Sequence, residues 1–396
     1  MLVFFQGVDI MRRVIALILC FFICFTAVPS LALDSNPELD AVLGDIFKSY
    51  KTVGATLVVA KNNEILYQRN YGYSYLVKRD LVDENTYFRI ASVTKMISAI
   101  GVMQLVEQGL LDLDTDISEY LGYDVRNPYY PKSRLTLRSL MTHTSSLSVG
   151  GGYSKVRNTL RKLISTDKKQ TGNFHDEAPG TVYRYSNFGA GIMGSLIEAV
   201  SQQNINDYMS EHVFQPLGID AGYHATLVSN PEAVTYIYNR GGTRLITGRK
   251  ASLKDDWDAS VNPDKHYRIT VGSLWVNGQD LCRLGMFLLN GGELNGVRLL
   301  KEETVREMMS SQKGKGCVTI DSPYGLCINR VDNLLDDRMI YGHQGMSGDI
   351  CANLYFDPQS SLVFAMVTNG CNNKIDDHIC AISRKLFAAV WDVYGD

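Results

Sequence analysis

The sequence lacks an excess of either charge, a second long apolar run, and cysteines spaced for zinc. Its formal net charge is −3 over 396 residues, and no basic stretch is interleaved with aromatic residues, so we expect no nucleic-acid partner. Beyond residue 32, no run reaches the roughly 18 apolar residues of a spanning helix, so we expect no membrane span in the mature chain. Without Cys-x-x-Cys spacing, neither a metal site nor a cofactor is expected.

The N-terminal segment has the parts of an export signal. A basic start at Met11–Arg13 precedes an apolar run over 14–28, and Ser30-Leu31-Ala32 offers small residues at its first and third positions. The pattern predicts a signal peptide over 1–32, with residues 1–10 as an upstream start. The mature protein would then be secreted or would lie in the cell envelope or periplasm. A retained membrane anchor is the alternative.

The cysteines outside this segment all lie in the last third of the chain. They are Cys282, Cys317, Cys327, Cys351, Cys371 and Cys380. An even number of cysteines in an exported protein predicts disulfides, and the sequence does not choose among the pairings.

One apolar helix carries a hydroxyl and an amine at its start. The chain from Met96 to Leu111 is apolar on almost every face, which is typical of a helix inside a large domain. Ser92 and Lys95 precede it and, three residues apart, share one helix face. A buried amine has a lowered pKa and can take a proton from a neighbouring hydroxyl. The unpaired N–H groups of a helix start favour developing negative charge.

The spacing Ser-x-x-Lys is weak evidence by itself. It recurs at Ser165/Lys168, in a polar run, and at Ser310/Lys313, at the end of an amphipathic helix. Only the pair Ser92/Lys95 begins a buried helix, so we take it as the candidate nucleophile and base.

The order of elements predicts an α+β fold. A helix over 36–51 and a hairpin of strands over 53–60 and 64–71 come first, and strands between 324 and 368 and a helix over 376–394 come last. Between them, residues 112–220 are predicted to be mostly helical, and 222–268 to be irregular. We therefore expect an antiparallel sheet built from both chain ends, flanked by helices, with an inserted, mostly helical subdomain.

We predict one domain over 33–396, made of two lobes. The lobe of helices and strands would comprise 37–75 and 270–396, and the helical lobe 76–269. A cleft between the two lobes is where a site is expected.

Two further motifs offer groups for a cleft. In Tyr185-Ser186-Asn187, before an apolar helix rich in glycine (Gly189, Gly191, Gly194), the phenol can shuttle a proton and the amide can orient a substrate. In His343-Gln344-Gly345, the glycine permits close approach of a substrate backbone, and the N–H of Met346 could complete an oxyanion hole. Seen separately, Asn187 also suits an N-cap, and His343 a structural role.

Together, in this order, the three motifs resemble those of the penicillin-recognising serine hydrolase superfamily, which has a β-lactamase/transpeptidase-like fold. The branch is the one with class C β-lactamases, secreted D-alanyl-D-alanine carboxypeptidases, D-amino-acid amidases and related esterases. The resemblance covers residues 37–394 and includes the blocks 135–145, 213–219, 341–348 and 367–370.

The resemblance implies a role for each residue of the three motifs. Ser92 would be the nucleophile, Lys95 its proton acceptor or electrostatic partner, and Tyr185 the relay to the leaving group. Asn187 would hold a substrate amide, and the N–H groups of Ser92 and Met346 would form the oxyanion hole beside His343 and Gly345. His143, in one of the shared blocks, is interpreted as structural.

The third motif departs from the β-lactamase pattern. It begins with His343 instead of Lys, and Gln344 and Met346 stand where relatives that bind a carboxylate have hydroxyls. A substrate carboxylate would be poorly held unless an arginine of 222–268 substitutes.

We therefore expect an exported serine hydrolase, acting through an acyl-enzyme on a small-molecule or peptide substrate. A D-amino-acid peptide or a peptidoglycan-like peptide is preferred, then an ester, then a β-lactam. A non-catalytic penicillin- or peptide-binding module is the rival of another class. We expect a monomer.

Overall fold

A seven-stranded antiparallel sheet combines the two ends of the chain. The computed structural model describes residues 35–155, 157–166, 171–239, 245–247 and 257–395. Across the sheet, the strands are β11 (Asn329–Val331), β12 (Ile340–Ser347), β13 (Ile350–Asp357), β14 (Leu362–Thr368), β1 (Gly54–Lys61), β2 (Glu64–Tyr75) and β3 (Asp80–Leu81). Strands from the end of the sequence therefore pair directly with β1, as predicted.

The other strands are short, and the helices vary from one turn to four. The strands are β4 (Phe88–Arg89), β5 (Ala221–Gly222), β6 (Ile237–Tyr238), β7 (Leu245–Thr247), β8 (Trp275–Val276), β9 (Glu293–Leu294), β10 (Val297–Arg298), β15 (Ile375–Asp376) and β16 (Ile379–Cys380). The helices are α1 (Pro37–Ser49), α2 (Val93–Glu107), α3 (Ile117–Leu121), α4 (Leu137–Met141), α5 (Leu160–Ile164), α6 (Asn187–Ser201), α7 (Ile205–Met209), α8 (Gly278–Leu289), α9 (Glu302–Met309) and α10 (Ala381–Tyr394). Short 3₁₀ turns occupy Thr171–Asn173, Pro231–Ala233 and Ile269–Val271, and a π-turn, Ser210–Phe214, follows α7.

Both faces of the central strands are covered by helices. On β1, Leu57 and Val59 pack in the cluster of α1 and α10, while Val58 and Ala60 join the larger core that contains α2 and α8. This two-sided burial explains why 53–60 reads as a continuous apolar run instead of an alternating one. The α+β architecture predicted from the sequence is confirmed.

The inserted segment is less helical than the sequence suggests. Between 112 and 220, α3, α4, α5 and α7 are one turn each, and only α6 is long. Side-chain caps begin these short helices, as at Thr136 for α4 and Thr159 for α5. The apolar residues of this segment are buried in the main core, so packing and not helical periodicity determines its conformation.

The helix α2 is buried from Val93 to Leu105, and no helix in the described ranges is long and apolar enough to cross a bilayer. The predicted signal peptide, 1–32, lies outside the described residues, so it stays a prediction.

Glycines of α6 allow another segment to approach its backbone, as the sequence predicts. A Cβ on Gly191 would lie 1.9 Å from the carbonyl oxygen of Tyr267, and one on Gly194 would lie 2.9 Å from Thr270 Cγ2. The approaching segment continues into the 3₁₀ turn at Ile269–Val271. The two glycines therefore determine where Val271 lies.

We predict that Gly191→Ala destabilises the protein by about 1–3 kcal/mol, because the methyl group must displace the Tyr267 backbone. The matched control is Gly44→Ala in α1, where a Cβ has no neighbour within 4 Å. It should stabilise by about 0.5–1 kcal/mol through helix propensity alone. Urea unfolding of both variants measures the difference, and equal effects of the two substitutions would contradict this packing argument.

Candidate active site

Ser92 lies at the start of α2, after a turn in an uncommon backbone conformation. Ala91 has φ +45°, in the left-handed region that residues with a Cβ rarely adopt. The turn packs against two glycines. A Cβ on Gly345 would lie 3.0 Å from Ser92 N, and a Cβ on Gly272 would lie 3.2 Å from the carbonyl carbon of Ala91. Such strain beside a half-buried hydroxyl is typical of functional sites.

Lys95 lies one turn later and is completely buried. Its Nζ is 2.9 Å from Ser92 Oγ and donates a hydrogen bond of 2.7 Å to the carbonyl of Val271. Burial lowers the pKa of Lys95 to about 7, and the nearby Cys327 thiol opposes this shift only in part. Near neutral pH, a large fraction of Lys95 is therefore a free amine that can accept the Ser92 proton.

Tyr185 completes the group around the hydroxyl of Ser92. Its phenol lies close enough to Ser92 to interact with the hydroxyl, and its ring centroid lies 5.2 Å from Lys95 Nζ. The residue as a whole is 42% exposed, but its phenol end is enclosed by protein atoms, and this burial raises the pKa of Tyr185. Tyr185 consequently keeps its proton at neutral pH and is suited to donate it, while Lys95 is suited to accept one.

Asn187 is the first residue of α6 and does not cap the helix. The cap is Ser186, whose hydroxyl accepts a hydrogen bond from the N–H of Gly189. The Oδ1 atom of Asn187 is buried and has no hydrogen-bond partner among the described residues. A buried acceptor without a partner is costly, so it is available for an N–H of a substrate.

His343 and Gly345 lie on β12, beside the turn that carries Ser92. The Nδ1–H of His343 donates to the carbonyl of Gln344 at 2.6 Å, which leaves Nε2 as a buried acceptor without a partner in the described part of the chain. Burial and the nearby charge of Lys95 lower the pKa of His343 to about 3, so it is neutral. Without a side chain, Gly345 lets β12 come close to Ser92.

The edge of β12 at Met346 faces away from the rest of the sheet. Its cross-strand partner, Cys351, donates its N–H to Thr368 on β14. In an antiparallel strand, the N–H and the C=O of one residue point to the same side. Because the N–H of Cys351 points toward β14, Cys351 and Met346 do not exchange backbone hydrogen bonds. The N–H of Met346 therefore points away from β13. Strand β11 covers only Ile340–Gly342 of this edge. The outward N–H of Met346 therefore lies on the open edge, one residue after the glycine that touches Ser92.

Aromatic rings surround Tyr185 on its protein side. The ring of His143 lies 4.3 Å from that of Tyr185 and 4.9 Å from that of Tyr324. Nδ1 of His143 accepts the N–H of Ser186, and burial lowers the pKa of His143 well below 6.5, so it packs as a neutral ring. The structural interpretation of His143 agrees with these contacts.

Sequence reasoning missed three neighbours of the site. Val271 contributes only a backbone carbonyl to Lys95, and a backbone group leaves no signal in the side-chain pattern. Cys327 was grouped with the disulfide candidates, but it lies close enough to Lys95 for their charges to interact. Tyr324, beside His143 and His343, was read only as the start of a strand.

Other sequence candidates are not brought to this site. Ser310 accepts a hydrogen bond from Lys315, not Lys313, and Lys168 lies outside the described residues. The six cysteines are all free thiols, so the predicted disulfides have no support in the structure. Among the described residues, no cluster of histidine, cysteine and carboxylate side chains could hold a metal ion.

Comparisons with known proteins agree with this geometry. The model of the beta-lactamase family matches residues 39–388. The chain belongs to the beta-lactamase family. Like other members of this family, it has the β-lactamase/transpeptidase fold that the resemblance of its motifs implied.

Similar curated proteins of the beta-lactamase family bear several functional names. "Protein flp" of Staphylococcus aureus (strain MW2) is 24% identical over 46% of this chain, and the aligned part is only 37% of that protein's length. A putative D-alanyl-D-alanine carboxypeptidase of Escherichia coli O157:H7 is 24% identical over 82% of this chain and 80% of its own. Esterase EstB of Burkholderia gladioli is 30% identical over 57% of this chain and 60% of its own.

Solved structures share the fold at low sequence identity. A penicillin-binding protein homologue of Pyrococcus abyssi, described as octameric, has a TM-score of 0.68 at 20% identity, over 91% of this chain and 77% of its own. A family VIII carboxylesterase has a TM-score of 0.68 at 18% identity, over 91% of this chain and 98% of its own. The D-amino acid amidase of Ochrobactrum anthropi SV3 has a TM-score of 0.66 at 19% identity, over 89% and 98%.

We predict that Lys95→Met stabilises the protein in a pH-dependent manner. Folding lowers the pKa of Lys95 from 10.5 to about 7, so its buried charge reduces stability most below pH 7, and the cost fades as the pH approaches 10.5. Removing the charge should add on the order of 4 kcal/mol at pH 6 and under about 1 kcal/mol at pH 10, before the loss of two hydrogen bonds is subtracted.

Urea unfolding at both pH values measures this difference. The control is Lys48→Met, an exposed residue in the last turn of α1, which should give no comparable pH dependence. If Lys95→Met and Lys48→Met behave alike at pH 6 and pH 10, Lys95 does not have a depressed pKa.

Proposed function

We propose that this member of the beta-lactamase family hydrolyses amides and esters of D-amino acids or D-peptides through an acyl-enzyme on Ser92. One observation carries the proposal: the hydroxyl of Ser92 accepts a hydrogen bond of 2.9 Å from a buried amine and interacts with a protonated phenol close by. The substrate class rests on the carboxypeptidase, amidase and esterase names among its relatives and structural neighbours.

In the proposed acylation step, Lys95 acts as the base. The neutral amine takes the Ser92 proton as Oγ attacks the substrate carbonyl, and the carbonyl of Val271 stabilises the ammonium that forms. The negative charge on the substrate oxygen would be stabilised by the N–H groups of Ser92 and Met346. Among the described residues, the N–H of Ser92 has no hydrogen-bond acceptor. Both donors are fixed by the backbone, so little reorganisation is needed.

Departure of the leaving group would use the phenol of Tyr185. An amine or alkoxide leaves much more readily when it is protonated, and Tyr185 holds a proton close to Ser92 at neutral pH. In deacylation, water attacks the acyl-enzyme with the same groups in reverse roles. Asn187, with its unpartnered Oδ1, would hold an N–H of the acyl part of the substrate.

The contacts of β12 favour substrates without a free carboxylate next to the scissile bond. Both polar atoms of the Gln344 amide are used within the protein, since Nε2 donates to the carbonyl of His378 and Oε1 accepts the N–H of Cys380. Met346 presents a thioether. Among the described residues of this strand edge, neither side chain offers a hydroxyl or a cation to a carboxylate.

An esterase is the second candidate. Esterase EstB shares 30% identity with this chain, and ester substrates need no carboxylate partner. A β-lactamase is less well supported, since β-lactams carry a carboxylate. Export through the N-terminal segment and a monomeric state stay part of the proposal, although one structural neighbour is described as octameric.

We predict that Tyr185→Phe lowers the hydrolysis of a D-amino-acid anilide by about 10²–10⁴-fold, the usual range for loss of a general acid. Hydrolysis of the matching p-nitrophenyl ester should fall far less, because p-nitrophenolate leaves without a proton. Both substrates are assayed by steady-state kinetics. Tyr183→Phe is the matched control, since Tyr183 packs on the same histidine ring but does not interact with Ser92 in the structure. A uniform loss on both substrates would contradict the role given to Tyr185.

Acylation of Ser92 by a fluorophosphonate should follow the free-amine form of Lys95. The pKa of Lys95 is lowered to about 7, so the labelling rate should rise with pH through a midpoint near 7 and then level off. Labelling is followed by intact mass, and Ser92→Ala provides the blank. A midpoint above 9, or labelling of the Ser92→Ala variant, would exclude this pair as nucleophile and base.

A third prediction concerns the leaving group. For an acylated D-alanyl-D-alanine and its C-terminal carboxamide, kcat/KM should favour the carboxamide by about tenfold or more, because a buried carboxylate without a partner is destabilised. Release of D-alanine or D-alaninamide is measured by chromatography. Faster cleavage of the free acid would instead indicate that an arginine of the 222–268 segment binds the carboxylate.

A further inference from the structure

Three cysteines lie together beneath the strand that carries Met346. Cys351 is on β13, Cys371 follows β14, and Cys380 ends β16 at the start of α10, and all three are buried. The thiols of Cys351 and Cys380 are close enough to influence each other's ionisation, and that of Cys371 is close enough for its charge to act on both. Hydroxyl groups also line the cluster: Ser383 Oγ is 3.2 Å from the sulfur of Cys351, and Thr368 donates to the sulfur of Cys371.

The surroundings of Cys380 favour its thiolate form. It is the N-cap residue of α10, and Cys351, Asn373 and Ser383 lie close enough to its sulfur to stabilise a thiolate. Cys380 consequently has a lowered pKa, while burial raises the pKa of Cys351 and of Cys371. Helix N-termini and neighbouring donors are the features that make a cysteine nucleophilic. Cys380 would therefore attack first, with Cys351 as its neighbour in contact.

This cluster is connected to β12 by three contacts. The N–H of Cys380 donates to Gln344 Oε1 at 3.1 Å, Gln344 Nε2 donates to the carbonyl of His378 at 2.5 Å, and Asn373 Nδ2 donates to Met346 Sδ at 3.5 Å. Cys351 is itself the cross-strand partner of Met346. A chemical change at these sulfurs therefore acts on the same stretch of β12 that borders Ser92.

We propose that Cys351 and Cys380 form a reversible disulfide by exchange with a low-molecular-weight disulfide such as oxidised glutathione. The thiolate of Cys380 attacks one sulfur of glutathione disulfide, so a mixed disulfide forms and one glutathione thiolate leaves. The thiolate of Cys351 then attacks the Cys380 sulfur, the protein disulfide forms, and the second glutathione leaves. The two protein thiols lose two electrons and two protons, and the oxidant is reduced to two thiols.

The buried sulfurs can be reached by opening one small hairpin. Residues 374–378 are exposed, and the turn between β15 and β16 has Asp377 and His378 both at positive φ. Hydrogen bonds from Asn333 to Asp377 and from Gln344 to His378, together with an ion pair between Arg384 and Asp376, hold the hairpin to the rest of the protein. Because these contacts lie at the surface, the hairpin can open locally without unfolding the sheet, and its opening exposes Cys380.

The first experiment maps the linkage in the full-length protein. The reduced protein is incubated with oxidised glutathione, alkylated and digested without reduction. We expect one linked pair of peptides, carrying Cys351 and Cys380, while Cys282, alone and buried in α8, is alkylated as a thiol after denaturation. A link through Cys371, or three free thiols at glutathione disulfide concentrations that oxidise a small dithiol, would overturn the proposal.

The second experiment separates the attacking from the resolving thiol. In Cys351→Ser, a glutathione adduct should accumulate on Cys380, because no second thiol can release it. In Cys380→Ser, Cys351 should remain unmodified. An adduct on Cys351 in that variant would contradict the assigned order. Mapping of the unsubstituted chain decides the pairing even if one of the serine variants does not fold.

The third experiment measures the effect on β12. Oxidation should slow amide hydrogen exchange in 344–347 and raise Tm by roughly 4 °C, because the disulfide fixes a hairpin that otherwise opens. In Cys380→Ser the same treatment should change neither quantity. Exchange rates that are identical in the oxidised and reduced chains would show that the disulfide does not act on this strand. Neither readout depends on the proposed hydrolase activity.

Discussion

The burial of one amine is the constraint on which the rest of the site depends. Lys95 is enclosed in the main core, and among the described residues its hydrogen-bond partners are Ser92 Oγ and the Val271 carbonyl. A charge that is buried in this way reduces the stability of the fold, and an apolar side chain at the same position would not carry this desolvation cost. The same burial makes the amine a base near neutral pH. The protein therefore retains a destabilising residue because its proton affinity is useful only when it is buried.

The position of that amine depends on backbones that approach one another more closely than side chains allow. Gly191 lets the segment containing Val271 lie against α6, Gly272 lets the same segment touch Ala91, and Gly345 brings β12 to the N–H of Ser92. Three elements that are distant in sequence thus meet around one turn of backbone. The left-handed conformation of Ala91 persists because these contacts hold the turn from both sides.

Patterns in the sequence were sufficient to predict the sheet and to place the first two motifs at the starts of helices. The helix at Asn187–Ser201 lies where the sequence predicts a glycine-rich apolar helix after the second motif, since its apolar spacing, its N-terminal turn residues and its glycines agree. The helical content of 112–220 was overestimated from the sequence. Short, capped turns that are buried in a core are as rich in apolar residues as helices are, so the two look alike in the sequence. Two other neighbours of Lys95 could not be inferred, since one is the backbone carbonyl of Val271 and the other is Cys327, which the cysteine pattern assigned to a disulfide.

The unusual third motif has a structural explanation in the hairpin of β15 and β16. Gln344 uses its whole amide to hold the backbone of His378 and Cys380, and Asn373 of the same region reaches Met346. A hydroxyl at position 344 is too short to bridge both backbone groups, so this way of holding the hairpin excludes the side chain that would hold a carboxylate. The edge of β12 next to Ser92 consequently offers a substrate backbone N–H and a thioether. Under the proposed function, recognition there would rely on the backbone of the substrate and on apolar contact, so a charged leaving group would gain no advantage.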